Sequence, residues 1–315
     1  MRALRIVFMG TPDFAVPTLD ALLREGHKVV GVITAPDRPA GRGRKLHESA
    51  VKQYARAKGL TILQPTNLKN PDFQQELAAL KANLQIVVAF RMLPKAVWEM
   101  PEYGTVNLHA SLLPQYRGAA PINWAIINGE TETGATTFYI NERIDTGEII
   151  LQDKTEIHPD ENAGDLHDRL MALGAELVIK TVGLIIRDEV HPISQSETGE
   201  LKAAPKIHRD TCKIDWTKPA LHINNKIRGL SPYPASWTNL YNPDKPVVLK
   251  IYKAGYSKED HSHEQGSLIL NNSDLKVAVP DGFILLQEIQ ISGKKKMTVK
   301  EFLNGHQIDN LAKLG

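Results

Sequence analysis

The sequence is short of cysteine and has no long apolar run, and both shortages exclude classes of protein. Cys212 is the one cysteine among 315 residues, which excludes an internal disulfide and a metal site built from several thiolates. No run of about 18 apolar residues occurs, so no transmembrane helix is expected. Residues 1–5 lead at once into a strand-like run, without the apolar core and cleavage site of a signal peptide. We therefore expect a cytoplasmic protein.

The glycine-rich phosphate cradle of dinucleotide-binding proteins is also missing. The chain opens with an apolar strand over residues 4–9, a helix over 14–24 and a second strand over 28–33, which is typical of a doubly wound α/β domain. The turn after the first strand carries only Gly10, whereas the dinucleotide fingerprint is Gly-x-Gly-x-x-Gly. Dinucleotide chemistry is therefore disfavoured. The histidines are scattered without ligand spacing on a common element, so no metal site is expected.

The length and the distribution of polar residues indicate two domains. The chain is long enough for two cores, and its 42% hydrophobic and 23% charged content is ordinary for a globular protein. We predict an α/β domain over residues 1–189 and a polar linker over 190–205, because that stretch contains Pro192 and Gly199 and little apolar periodicity. Residues 206–315 alternate short strands with Gly, Asn and Pro, which predicts a small β-barrel.

The charges are distributed unevenly between these parts. Residues 206–315 contain 16 Lys and Arg against 11 Asp and Glu, whereas residues 1–205 contain 22 against 25. A basic C-terminal part can attract a polyanion such as RNA. From charge alone, a solvated basic surface without a ligand remains an open alternative.

Three polar residues between positions 105 and 150 form the candidate catalytic set. Asn107 and His109 are two residues apart at the end of a predicted strand, so they share a face, and Asp145 follows in a loop. A carboxamide can stabilise an oxyanion, an imidazole can move a proton near neutral pH, and a carboxylate can orient the imidazole and receive the proton of an attacking amine. No nucleophile is evident, which favours direct acyl transfer. From the residue types alone, a turn Asn, a structural His and a loop Asp remain an alternative.

A longer series of motifs resembles the folate-dependent formyltransferases. The motifs are Asn107-x-His109, Ser111-Leu112-Leu113-Pro114, Tyr116-Arg117-Gly118-Ala119-Ala120-Pro121, Trp124-Ala125 and Asp145-Thr146-Gly147. The resemblance implies a Rossmann-like doubly wound formyltransferase domain followed by an OB-like β-barrel that helps to hold tRNA. It also implies that Asn107, His109 and Asp145 are catalytic and that 10-formyltetrahydrofolate is the formyl donor.

The family also implies a folate site after two neighbouring strands. The residues that line it would be Phe90, Arg91, Met92, Leu93, Ser111, Leu112, Leu113 and Pro114. Family members commonly have glycine where this chain has Arg91. We expect Arg91 to turn outward, while the local backbone is open to question because glycine adopts positive φ and arginine rarely does.

A basic segment over residues 34–49 is the feature that most distinguishes possible substrates. Its prolines and glycines predict neither helix nor strand, and it contains Arg38, Arg42, Arg44 and Lys45 against Asp37 and Glu48. Without the resemblance, a surface loop with no ligand is the simpler interpretation. In the tRNA-directed members an insertion here contacts the acceptor stem, and members acting on small amines have a shorter segment. Arg42 is therefore our first choice for a tRNA contact, ahead of its three neighbours.

The implied reaction is transfer of a formyl group from 10-formyltetrahydrofolate to the amine of methionyl-initiator tRNA. We expect a monomer, since no feature of the sequence demands a larger assembly. Further tRNA contacts are expected at Lys206 and at the basic run Lys294, Lys295 and Lys296. Three alternatives remain open. They are a formyltransferase for a small amine such as an amino sugar or glycinamide ribonucleotide, a hydrolase releasing formate from formylfolate, and a non-catalytic RNA-binding module.

Overall fold

The computed structural model describes residues 2–40, 45–241, 246–271, 274–309 and 311–315. Its strands, in chain order, are β1 (Ile6–Gly10), β2 (Val29–Ile33), β3 (Arg38–Ala40), β4 (Lys45–His47), β5 (Ile62–Leu63), β6 (Leu84–Val88), β7 (Thr105–His109), β8 (Arg117–Gly118), β9 (Glu132–Tyr139), β10 (Ile149–Glu156), β11 (Ala203–Ala204), β12 (Ser236–Tyr241), β13 (Val247–Lys258), β14 (Leu268–Asn271), β15 (Asp274–Val279), β16 (Gly282–Ile291), β17 (Met297–Thr298) and β18 (Lys313–Leu314). Its helices are α1 (Val16–Arg24), α2 (Ala50–Ala57), α3 (Pro71–Ala79), α4 (Lys95–Trp98), α5 (Pro121–Ile127), α6 (Ala163–Arg187), α7 (Ala220–Leu230) and α8 (Val299–Gly305).

The chain divides into two compact units, neither of which is continuous in sequence. Unit 1 consists of residues 1–118, 133–155 and 167–203, and unit 2 consists of residues 119–132, 156–166 and 204–315. Residues 190–203, which the composition suggested as a linker, are part of unit 1. The backbones of Ile193 and Ile149 exchange two hydrogen bonds of 2.8 Å, which fix this polar segment along the start of β10. The division of the continuous chain at 189 and 206 remains our proposal for its domains.

Unit 1 is built around a seven-stranded sheet in the order β10-β9-β7-β6-β1-β2-β5. The pairs of β5 with β2, β2 with β1, β1 with β6, and β6 with β7 are parallel, and β9 is antiparallel to β7. All residues of β1 and β6 are buried, which is why these strands are apolar on both faces. The doubly wound α/β fold predicted from the sequence is therefore confirmed. Because parallel strands end at the same edge, the segments that follow β1, β6 and β7 meet there.

Helix starts in unit 1 follow the local sequence. The Asn70 side chain accepts a hydrogen bond from the Asp72 amide at 2.9 Å, and Pro71 occupies the first turn of α3, where its missing amide hydrogen costs no helical hydrogen bond. Ser49 caps α2 in the same way by accepting from the Lys52 amide. Each cap satisfies an amide that has no partner within its helix.

Unit 2 contains an antiparallel sheet that nearly closes on itself. Its strand order is β14-β15-β16-β13-β12-β18, and β17 pairs with β16. The first and last strands approach each other, because Leu314 donates its amide to the Gly266 carbonyl at 2.9 Å and Leu268 donates to the Ala312 carbonyl at 3.2 Å. Side chains such as Ile251, which is fully buried, fill the interior. The predicted small β-barrel is confirmed.

The basic segment is one place where the local prediction was wrong. It contains a short antiparallel hairpin in which Arg38 of β3 lies opposite His47 of β4. Pro39 is compatible with this pairing because a two-stranded hairpin consists of edge strands, where a missing amide hydrogen can be tolerated. Residues 41–44, including Arg42 and Arg44, lie outside the described residues.

Across the described ranges, no helix combines the length and the apolar composition needed to cross a bilayer.

Candidate active site

Asn107 and His109 lie at the carboxyl end of β7, near the middle of the unit 1 sheet. The strand alternation places both side chains on one face, and Asn107 lies opposite Phe138 of β9. His109 is buried, whereas Asn107 is half-buried. The Asn107 carboxamide makes no hydrogen bond to any described residue, so its amide hydrogens are available to a ligand.

The two ring nitrogens of His109 have different neighbours. Nε2 lies 2.8 Å from the carbonyl oxygen of Tyr116, and because a carbonyl oxygen can only accept, Nε2 carries a hydrogen and donates it. Nδ1 faces the carboxylate of Asp145, with 3.7 Å between Nδ1 and Oδ2. That separation is within the range of an ion pair and too long for a direct hydrogen bond. The nitrogen open to chemistry is therefore Nδ1.

Asp145 is held in place through both its backbone and its side chain. Its backbone has a φ of 54°, a left-handed conformation that aspartate tolerates better than most residues. Its Oδ2 accepts a hydrogen bond of 2.9 Å from the Gly118 amide. Two residues later, Gly147 passes so close to β9 that an added Cβ would lie 1.6 Å from the Tyr139 carbonyl oxygen. The loop therefore has little freedom to place the carboxylate elsewhere.

Two further residues support this site, and the sequence pattern assigns neither of them a role in it. Gln195 donates from Nε2 to the carbonyl oxygens of Asp145 and Gly147, at 2.9 and 2.7 Å. Its Oε1 accepts from Nε and Nη2 of Arg117, at 3.0 and 2.7 Å. Arg117 belongs to a motif that was noted, but Gln195 lies in the polar segment interpreted as a linker. No local pattern in the sequence distinguishes it there.

The two predicted folate-lining segments follow the paired strands β6 and β7, so they lie side by side at the same edge of the sheet. Ser111 is fully buried and donates to the Gln115 carbonyl at 2.7 Å, and Leu113 is also buried. Met92, in contrast, is 70% exposed. A folate in this position would therefore meet backbone groups and the exposed Met92 rather than the Ser111 hydroxyl.

Arg91 does not turn outward, contrary to our expectation. Its guanidinium donates to the carbonyl oxygens of Pro65 and Thr66, the latter at 3.0 Å, and the side chain is half-buried. Burial lowers the pKa of Arg91, and the nearby positive charge of Arg38 lowers it further. The positive φ in this loop falls on Ala89, at 47°, so Arg91 itself avoids the conformation that would require glycine.

The residues predicted to contact tRNA are exposed where they are described. Arg38 and Lys206 are exposed, as are Lys294, Lys295 and Lys296 between β16 and β17. Lys296, however, forms an ion pair of 2.6 Å with Glu288, so its charge is already compensated. The backbone of Lys45 forms part of β4, but its side chain lies outside the described part of the structure, as do Arg42 and Arg44.

Unit 2 has a cavity of about 750 Å³ that is separate from the predicted catalytic set. Lys213, Asp215, Trp216 and Thr217 line one part of it, and Leu314 lines another. Asn107, His109 and Asp145 are all in unit 1. The convergence of polar groups, rather than the size of a cavity, therefore identifies the candidate site. The described residues include no group of three His, Cys, Asp or Glu arranged to hold a metal ion.

A doubly wound sheet with convergent polar groups beyond its carboxyl edge defines this molecule as an α/β protein with an enzyme-like site. Residues 4–182 match the family model described as formyl transferase, and residues 206–307 match the model described as formyl transferase, C-terminal domain. The chain belongs to the formyl transferase family.

Relatives with high identity share the whole length of the chain. It is 57% identical to methionyl-tRNA formyltransferase of Flavobacterium johnsoniae over 314 residues, which covers 100% of both chains. It is 52% identical to the protein of the same name from Bacteroides thetaiotaomicron, over 98% of this chain and 97% of the relative.

Solved structures share the fold at much lower identity. A sugar 3N-formyltransferase, WlaRD, crystallised in the presence of dTDP and 5-N-formyl-THF, has a TM-score of 0.66 at 21% identity and covers 94% of this chain and 100% of its own. HypX from Aquifex aeolicus in complex with tetrahydrofolic acid has a TM-score of 0.65 at 18% identity and covers 98% of this chain and 49% of its own.

Proposed function

We propose that this chain transfers a formyl group from 10-formyltetrahydrofolate to the free amine of methionyl-initiator tRNA. The observation that carries this proposal is the 57% identity to a methionyl-tRNA formyltransferase over the full length of both chains. The convergence of Asn107, His109 and Asp145 supports it independently, because these groups suit acyl transfer to an amine without a covalent enzyme intermediate.

Oxyanion stabilisation is the role of Asn107 and His109. The Asn107 carboxamide has no partner among the described residues and can donate to an oxygen on which charge develops. Because Nε2 of His109 already donates to Tyr116, His109 can donate into the site only from Nδ1, and therefore only as an imidazolium. The carboxylate of Asp145, 3.7 Å away, stabilises that positive charge.

Proton removal from the attacking amine is the role of Asp145. An amine that has attacked a carbonyl carbon must lose a proton, and a carboxylate beside the reacting centre can accept it directly or through water. The Gly118 amide and the left-handed backbone hold this carboxylate beside His109. His109, as an imidazolium, is then placed to give a proton to the departing group.

The formyl donor fits the two segments after β6 and β7. Bound folate would supply the activated formyl group, and the chain would supply backbone hydrogen-bonding groups together with the apolar surface of Met92 and Leu112. Met92 is 70% exposed and Leu112 is half-buried, so both side chains can contact a flat ring. Ser111 serves this site indirectly by holding its loop through the Gln115 carbonyl.

The tRNA partner is supported by exposed cations in both units. We assign Arg38, Arg42, Arg44 and Lys45 to the acceptor stem, with Lys206, Lys294 and Lys295 as further phosphate contacts and Lys296 as the weakest candidate because of its pairing with Glu288. A monomer working in the cytoplasm, where charged tRNA is available, is the simplest form of this proposal.

The test is formyl transfer from 10-formyltetrahydrofolate to initiator tRNA charged with methionine, with free methionine and uncharged tRNA as controls. Formyl-methionyl-tRNA should form only from the charged tRNA. Formylation of an amino sugar or of glycinamide ribonucleotide instead would overturn the assignment of the acceptor. Release of formate without any acceptor would indicate a hydrolase, and tRNA binding without folate binding would indicate a non-catalytic RNA-binding module.

A further inference from the structure

Gln195 is distinguished from its surroundings by being half-buried. It is the one residue of the stretch 191–200 that is not exposed. The stretch is polar and contains Pro192 and Gly199, so one half-buried side chain within it indicates a specific contact. The reason lies in its four hydrogen bonds, which reach across 78 residues to Arg117 and across 50 residues to Asp145.

The amide of Gln195 is fully used and has only one possible orientation. Arg117 can only donate, so the atom facing it must be the oxygen. The carbonyl groups of Asp145 and Gly147 can only accept, so the atom facing them must be the nitrogen. Both amide hydrogens and the amide oxygen therefore have partners, and a flipped amide would lose all of them.

We infer that Gln195, supported by Arg117, is a positioning residue that fixes the carboxylate of Asp145 for proton transfer. The amide binds the main chain of Asp145 on the carbonyl side, while the Gly118 amide binds the same residue at its carboxylate. Arg117 precedes Gly118 directly, so the Arg117–Gln195 pair joins the two segments that hold Asp145. This inference rests on the proposed function, since it assigns Gln195 a part in the same reaction.

The effect on catalysis follows from the short distances involved. The Asp145 backbone is in a left-handed conformation, at a φ of 54°, which costs less for aspartate than for most residues but is still less favourable than the ordinary conformations, so the surrounding contacts help to hold it. Without the Gln195 amide, two carbonyl oxygens lose their donor and the loop can relax. A displacement of about 1 Å at a reacting group can lower a rate by about 10²-fold.

The first experiment compares Gln195→Met with the wild-type enzyme in steady-state formyl transfer. Methionine has a similar size but offers no amide, so we expect kcat to fall on the order of 10²-fold while KM for tRNA and for the folate changes by less than about twofold. Gln115→Met is the matched control, because the Gln115 amide also bridges two backbone groups, those of Glu200 and Lys202, without contacting Asp145. An equal loss in both variants would assign Gln195 a merely structural role and overturn the inference.

A second variant guards against a failure of Gln195→Met to fold. Gln195→Glu keeps the size and the pairing with Arg117 but places a carboxylate oxygen beside the carbonyl oxygens of Asp145 and Gly147. We expect it to remain folded and to lose at least as much kcat. Wild-type turnover by Gln195→Glu would contradict the inference.

A double-mutant cycle tests whether Gln195 acts through Asp145. In single-turnover assays with excess enzyme, adding Gln195→Met to Asp145→Asn should lower the residual rate by less than about twofold, because the group it positions is already disabled. A full additional loss would show that Gln195 acts by another route.

Hydrogen exchange separates this inference from the proposed function. The Gly118 amide is bonded to the Asp145 carboxylate, so Gln195→Met should speed its exchange relative to the wild-type protein and to Gln115→Met, whatever reaction the protein catalyses. Absence of transfer by the wild-type protein would count against the proposed function alone. Unchanged Gly118 exchange would count against the positioning role.

Discussion

At the level of single residues, the two ring nitrogens of His109 make different contacts, one with the backbone and one with the candidate catalytic carboxylate. Nε2 is committed to the Tyr116 carbonyl at 2.8 Å, which fixes the plane of the ring. Nδ1 is left facing Asp145, across a gap that no direct hydrogen bond closes. One residue therefore anchors the strand end and, under the proposed function, supplies Nδ1 to the reaction.

A second residue-level feature lies away from the site, in the pairing of Tyr54 with Asp20. The Tyr54 hydroxyl donates to Oδ1 of Asp20 at 2.5 Å. This hydrogen bond is the main cause that lowers the pKa of Asp20. Burial, followed by the same hydrogen bond, raises the pKa of Tyr54 to about 12.

The pairing predicts a specific pH dependence of stability. Asp20 has a lowered folded pKa, so its contribution is present above the ordinary value of 3.8 and is lost as the pH falls through the lowered one. Tyr54 has a raised folded pKa, so its contribution is present below 10.0 and is lost as the pH rises toward about 12. Between these limits, Tyr54→Phe should be less stable than wild type by roughly 0.5–1 kcal/mol, since both groups are partly screened by solvent.

Denaturant unfolding across a pH series measures this difference. Tyr233→Phe is the control, because Tyr233 is 83% exposed and the change removes the same hydroxyl from an exposed position. A Tyr54→Phe difference that persists in strong acid would show that the lost stability comes from packing and not from the hydrogen bond to Asp20.

At the level of elements, the β3–β4 hairpin is clamped at its base. Lys52 of α2 contacts Oδ2 of Asp37 at 2.5 Å and Oε1 of Glu48 at 3.4 Å, and these two acids directly flank the hairpin. The hydroxyls of Thr34 and Ser49 join the same two chain segments at 2.7 Å. The hydrogen bond from Lys52 lowers the pKa of Asp37, and the bond to Asp37 raises the pKa of Lys52, so both groups are held in their charged forms.

The clamp predicts that Lys52 acts on tRNA binding without touching tRNA. Lys52→Met should free the base of the hairpin. The basic residues of the hairpin would then lose more conformational entropy when tRNA binds, which lowers the affinity for tRNA. We expect KM for charged tRNA to rise on the order of tenfold, with kcat at saturating tRNA little changed. Steady-state kinetics with varied tRNA measures both quantities.

The control for this change is Lys69→Met, which removes the same charge from an exposed position of unit 1. It should leave KM close to the wild-type value. If both variants raised KM equally, net charge would explain the effect and the clamp would not.

The elements also show what local sequence can and cannot predict. The alternation of residues 105–109 places Asn107 and His109 on one face, and an Asn–Pro pair marks the start of α3. Gln195 and Arg91, in contrast, owe their positions to main-chain carbonyls distant in sequence, such as those of Asp145 and Pro65. A contact of this kind leaves no periodicity or cap signal in the neighbouring residues. The β3–β4 hairpin was not predicted because the prolines and glycines of the segment were taken as evidence against a strand. An edge strand, however, tolerates a proline such as Pro39.

At the level of the whole molecule, residues 206–315 carry an excess of basic side chains, and individual lysines in this range differ in whether an acidic side chain pairs with them. Lys294, Lys295 and Lys296 form one run in the sequence, yet among the described residues only Lys296 has an acidic partner, Glu288, at 2.6 Å. Lys295 is exposed and forms no ion pair with any residue that the structure describes. Neighbouring lysines therefore differ in how much charge they offer to a phosphate.

This difference predicts unequal effects on the salt dependence of tRNA binding. Lys295→Ala should reduce the slope of log affinity against log salt by about one, since one phosphate contact is lost. Lys296→Ala should reduce it by less, because its charge is shared with Glu288. Equilibrium binding of charged tRNA across a salt series measures both slopes, and a larger effect of Lys296→Ala would reverse our ranking of these contacts.

The central claim is that Asn107, His109 and Asp145 together carry formyl transfer to methionyl-tRNA, and single-turnover transfer with excess enzyme tests it most directly. Asn107→Ala, His109→Ala and Asp145→Ala should each remain folded at the assay temperature and lose on the order of 10²–10³ in rate. Formylated tRNA from the wild-type protein, with such losses in all three variants, is the predicted result. Wild-type rates in any folded variant would remove that residue from the mechanism and contradict the account.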